Sequence, residues 1–132
     1  MAGMNGLVLY YCPQGAQEAA KARLVFIRSK LRVKLLTEAD LNELIGPYVG
    51  LKARPAEELP EGWEQVEPTS FMVFAGLRGH VLDKVLSDLV KSGVPRSVYK
   101  AVVTPTNAGW TFRALYTELT REREAMAQGK QD

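Results

Sequence analysis

Three places in the sequence hold residue types able to do chemistry. Cys12 follows an apolar run and precedes Pro13. His80, the single histidine, follows Arg78-Gly79. The third place is Val103-Thr104-Pro105-Thr106-Asn107-Ala108-Gly109-Trp110-Thr111, where a proline fixes a turn and two cap-forming residues precede an amphipathic stretch. Thr106 or Asn107 can accept from the first unsatisfied backbone N–H groups of a helix. Gly109 lets another atom approach the backbone closely, and valine in a first helical turn costs less than about 1 kcal/mol. Such a helix start can hold an anion through its N–H groups and dipole. The candidate ligand-binding residues are therefore Thr104, Thr106, Asn107, Gly109 and Trp110, with Arg78 and His80 added from the end of the preceding strand. Their ligand would be a small anion.

Each feature also has a plain structural reading. A thiol reacts as its thiolate, and the second cysteine of a redox loop is absent, so Cys12 reads as a half-buried structural thiol. A lone imidazole makes a poor metal site, because zinc takes three or four protein ligands. The stretch around His80 carries no nucleophile with an orienting acid. Residues 104–110 also read as a capped helix start with Trp110 as its anchor. No catalytic or metal-binding residue is assigned, and no cofactor is expected.

The elements that must position these residues follow from periodicity. Leu7-Val8-Leu9-Tyr10-Tyr11 and Phe71-Met72-Val73-Phe74-Ala75 read as buried strands. Arg32 to Leu36 alternates charge with apolar residues, like an edge strand, and Val98 to Val103 supplies a fourth. Ala20, Leu24, Ile27 and Leu31 recur at helical spacing over 16–31 and predict the inward face of a first helix. Val81, Leu82, Val85, Leu86, Leu89 and Val90 form the clearest stripe, ended by Gly93 with Pro95 beyond. Thr37 and Asp40 suggest a short helix over 38–45, and a last helix over 108–126 buries Phe112, Leu115 and Leu119. Residues 52–70, rich in proline and glutamate, read as a connector within one domain spanning 1–132. Two split β-α-β units give a ferredoxin-like β-α-β-β-α-β sandwich of the α+β class, with an extra C-terminal helix. An open parallel α/β sheet is the alternative.

Composition narrows the classes. Apolar residues make up 46% and charged residues 24%, ordinary values for a folded domain. The net charge of +2, from 17 basic and 15 acidic residues, argues against a large phosphate-neutralising surface. No nucleic-acid partner is expected. Charge order is uneven: residues 21–34 hold six bases and no acid, and residues 57–67 hold five glutamates and no base. Both read as solvated surface. One cysteine precludes an intrachain disulfide. The N-terminal residues lack signal-peptide character, and no apolar run approaches the ~20 residues of a membrane span. The expected location is the cytoplasm, with no membrane partner.

Taken in order, Phe71-Met72-Val73-Phe74, Ser92-Gly93-Val94-Pro95 and Val103-Thr104-Pro105-Thr106-Asn107 with Trp110 resemble a family of small bacterial proteins catalogued only as a domain of unknown function. The resemblance runs over about residues 71–126. Arg32-Val33-Lys34-Leu35 and Ile45-Gly46 to Gly50-Leu51 extend it into the first half. It departs at Leu77-Arg78-Gly79-His80, where an acidic or hydroxyl cap is expected. The resemblance implies no activity. The function expected is a non-enzymatic binding or regulatory domain, able to form a homo-oligomer. The alternatives are a small-anion binder at residues 104–110 and a small enzyme using His80 or Cys12.

Overall fold

The two most apolar runs of the chain become the central strands of one sheet. In the computed structural model, which describes residues 6–13, 15–52, 54–77 and 79–129, β1 (Leu7–Tyr11) lies antiparallel to β3 (Phe71–Ala75), with Leu9 opposite Val73. Side chains on both faces of these strands are buried, which is why they read as unbroken apolar runs rather than alternating ones. The outer positions fall to β2 (Arg32–Leu35), parallel to β1, and β4 (Tyr99–Val102), parallel to β3.

The sheet is thus mixed, in the order β2-β1-β3-β4. A split β-α-β unit would place another strand between each parallel pair. Here β1 and β2 are direct neighbours, as are β3 and β4, so the α+β class holds while the expected split pairing is not what the strands adopt. The antiparallel central pair also separates the sheet from an all-parallel one.

The chain forms two compact units, each drawing on two stretches of sequence: Met1–Thr37 with Thr69–Val103, and Glu38–Pro68 with Thr104–Asp132. The first unit contains the sheet, α1 (Ala16–Arg28) and α2 (Gly79–Ser92). Val8, Tyr10, Met72 and Phe74 meet Ala22, Val25 and Phe26 of α1 and Val85 and Leu89 of α2 in one apolar cluster. Phe26 sits edge-on to both Tyr10 and Phe74.

Both helices end the same way. Leu31 N–H donates to the Phe26 carbonyl and Lys30 N–H to that of Ile27; Val94 and Gly93 repeat this with Leu89 and Val90. This ending needs a left-handed residue. Gly93 supplies it after α2 at φ 100°, but after α1 the position is taken by Lys30 at φ 61°.

The second unit contains α3 (Phe112–Gly129) and a series of short 3₁₀ turns at Glu38–Asn42, Gly46–Val49, Trp63–Gln65 and Asn107–Gly109. The helix expected over 38–45 is the first of these turns. The connector is tied down inside this unit. The guanidinium of buried Arg113 donates to Asn42 Oδ1 at 3.1 Å and to the Val66 carbonyl at 2.5 Å, with the Glu67 carboxylate 3.7 Å away. Arg121 donates to the Glu61 carbonyl. Tyr48 packs edge-on against Phe112, its ring centre 5.1 Å away, and donates to Asp40 Oδ1 at 2.5 Å. Burial, helped by that carboxylate, pushes the Tyr48 hydroxyl up to about 12. No helix among the described residues is long and apolar enough to cross a membrane.

Candidate functional site

The helix start expected at residues 104–110 lies later in the chain. Asn107–Gly109 is a single 3₁₀ turn, and α3 begins at Phe112. Its cap is Thr111, whose Oγ1 accepts the Ala114 N–H at 3.1 Å and whose carbonyl accepts that of Leu115. Ahead of it, Thr104 and Asn107 bond reciprocally. Thr104 N–H donates to Asn107 Oδ1 at 2.9 Å, and Asn107 N–H donates to Thr104 Oγ1 at 3.0 Å. The N–H groups of Ala108, Gly109 and Trp110 donate to the carbonyls of Thr104, Thr106 and Asn107. The N–H groups of Thr104, Asn107, Ala108, Gly109 and Trp110 are thus engaged within the turn.

Gly109 does permit a close approach, and the atom that uses it belongs to the chain itself. The Ala56 N–H donates to the Gly109 carbonyl at 2.9 Å, and a β-carbon at 109 would stand 2.6 Å from the Arg54 carbonyl oxygen. Valine at 109 is therefore not the mild first-turn substitution that the local sequence suggests. Asn107, Ala108 and Gly109 are buried, Trp110 is half-buried, and Thr104 and Thr106 are exposed.

Arg78 lies outside the described residues. His80 is exposed in the first turn of α2, in the first unit, where it lines an open groove of about 610 Å³ with Val25, Arg28, Ser29, Lys84 and Lys91. β3 and β4 run parallel, as expected, so their C-terminal ends point the same way; past Val103 the chain enters the second unit.

Cys12 belongs to a polar cluster that the sequence did not reveal. Its thiol donates to Glu18 Oε2 at 3.2 Å and lies 3.6 Å from both the Gly15 carbonyl and Ser70 Oγ. The Tyr10 hydroxyl donates to the same carboxylate oxygen. Burial first, then its bonds to Cys12 and Glu18, hold the Tyr10 hydroxyl protonated far above the usual tyrosine range. The available clue was spacing: Tyr10 and Cys12 stand two residues apart at the end of β1, and Glu18 stands in the first turn of the next helix. Among the described residues, no group of His, Cys, Asp and Glu can hold a metal ion.

Two surface features stand out in the first unit. One is charge. This unit carries eleven basic and three acidic residues, a formal +8, whereas the second carries six and twelve, a formal −6. The overall +2 is the sum of two large opposite charges. The other is the outward face of α1. The core takes Ala22, Val25 and Phe26, while Leu24 and Ile27 remain 54% and 66% exposed. The stripe expected to face inward, Ala20-Leu24-Ile27, faces water on the helix; of the four residues expected there, Leu31 alone, beyond the helix end, is buried. Two apolar stripes at helical spacing wind around α1, and packing against the sheet selects the other one. Exposed Lys21, Arg23, Arg28 and Lys30 flank the outward stripe.

No curated protein and no solved structure matches the chain. What the chain does match is the model of a domain of unknown function, DUF3783, over residues 70–126, from the start of β3 through most of α3.

Proposed function

We propose that this chain is a non-enzymatic binding domain whose working surface is the outward face of α1. The observation that carries this reading is the Leu24–Ile27 stripe, exposed on a helix whose other apolar face already fills the core. Apolar side chains ringed by bases form the pattern of a protein-binding patch, with an apolar centre and a polar rim. Its partner would be acidic, because the rim is uniformly basic and sits on a unit of net +8. A decaglutamate peptide titrated into isotope-labelled protein should shift amide resonances of α1, and the shifts should shrink at 0.5 M salt. Resonances of α1 unmoved at low salt would sink the reading.

A second reading, thiol chemistry at Cys12, has the Glu18 carboxylate at 3.2 Å in its favour as a proton acceptor. It requires Cys12 to react readily in the native protein. A thiol reagent that labels Cys12 only after unfolding removes it.

A further inference from the structure

We infer that the occupant of the α1 face is the Glu57–Glu67 segment of a second copy of this chain. The inference rests on the reading of α1 as a binding surface and names its partner. Two identical α1 faces are a poor match for each other, since pairing them would crowd Arg23, Arg28 and Lys30 of one copy against the same cations of the other. The acidic unit of the same chain supplies the complement. Between residues 57 and 67, Glu57, Glu58, Glu61, Glu64 and Glu67 are all exposed, with no base among them. Trp63, Leu59 and Val66 are half-buried, so this segment also presents apolar surface among its charges. An apolar stripe in a basic rim faces apolar residues in an acidic rim, which suits contact between unlike surfaces of two copies. A phosphate backbone would satisfy the cations but would leave Leu24 and Ile27 uncovered.

The test is sedimentation equilibrium of the full chain, with two charge-reversal variants at exposed positions. The parent should sediment well above the mass of one chain at 50 mM salt. Association should weaken at least about tenfold at 500 mM, where the screening length falls from roughly 14 to roughly 4 Å. R23E/R28E/K30E and E57K/E61K/E64K should each be monomeric, because in each the two surfaces now carry the same sign. Mixed together they should associate again, because each then offers the other an unlike surface. Circular dichroism checks that both variants remain folded, and L24S/I27S should weaken association of the parent without reversing any charge. A parent that stays monomeric at 50 mM salt overturns the inference, as does a mixture of the reversed variants that fails to associate. Association that persists at 500 mM salt in R23E/R28E/K30E points instead to apolar pairing of α1 and also overturns it. So does a monomeric parent that binds duplex DNA through the same cations. A monomeric parent whose α1 resonances still respond to decaglutamate leaves the binding-surface reading standing and removes only the second copy.

Discussion

Replacing Gly109 with alanine puts a β-carbon 2.6 Å from the Arg54 carbonyl oxygen and 3.4 Å from the Ala56 nitrogen. Both neighbours are backbone, so no side chain can swing aside. Relief requires the 54–56 strand of chain or the 107–109 turn to move, and that movement breaks the 2.9 Å bond from Ala56 N–H to the Gly109 carbonyl. Overpacking costs about 1–3 kcal/mol, and the hydrogen bond about 0.5–1.5 kcal/mol. Together they come to about 2–4 kcal/mol. For a chain of this length each kcal/mol lowers Tm by about 3–5 °C, giving a drop of roughly 6–20 °C. Differential scanning calorimetry reads the drop directly. Gly79→Ala is the matched control. A β-carbon there meets nothing within 4 Å in the first turn of α2, so alanine should raise stability by about 0.4–1 kcal/mol. If Gly109→Ala melts within about 2 °C of the parent, the close packing between residues 54–56 and 107–109 is not what makes glycine necessary at 109.

Leu89→Ala should cost about 2–5 kcal/mol in urea unfolding, because Leu89 is wholly buried and its removal leaves a cavity. Leu86, mid-stripe in the sequence but only half-buried, should cost less than Leu89, and equal losses would refute that ranking. Lys30→Gly should raise Tm, since the left-handed conformation costs a side chain about 1–2 kcal/mol that glycine avoids; a lower Tm would mean the lysine makes a contact worth more than the strain. The contribution of two tyrosine hydroxyls to stability should be full below about pH 10 and fall above it. Tyr10 and Tyr48 both have hydroxyls raised above the ordinary value of 10.0, so their contribution is complete below that value and is lost as pH rises, for Tyr48 through about 12. Tyr48→Phe should reduce the alkaline loss in a series of urea melts, and an unchanged pH profile would refute its assignment.

Much of the secondary structure was legible because it is encoded locally. Continuous apolar runs placed β1 and β3 within their observed bounds. The heptad-like stripe and Gly93 marked α2 and its end. The last helix was found but begun too early: Thr106 and Asn107 are good caps by type, as is Thr111, and residue type does not say which of them meets free N–H groups. At the turn, Asn107 closes on Thr104 instead and leaves the cap to Thr111. The same limit applies to the turn itself: N–H groups of Thr104, Asn107, Ala108, Gly109 and Trp110 that look vacant in sequence are filled by carbonyls and side chains of the turn.

Determined by the sequence alone, then, were the four strands and three long helices, their order and the separation of basic from acidic stretches; all of these depend on neighbours within a few positions. Tertiary structure alone decided which outer strand joins which central strand, since the same β-α-β patterns serve split and unsplit pairing. It also decided which side of α1 turns inward. Ala20-Leu24-Ile27 and Ala22-Val25-Phe26 both repeat at helical spacing. Only the second set, with Phe26 against Tyr10 and Phe74, fills the space over the sheet. A helix can bury one face against one sheet, so the other apolar stripe is left in water, where the surface proposed for binding lies.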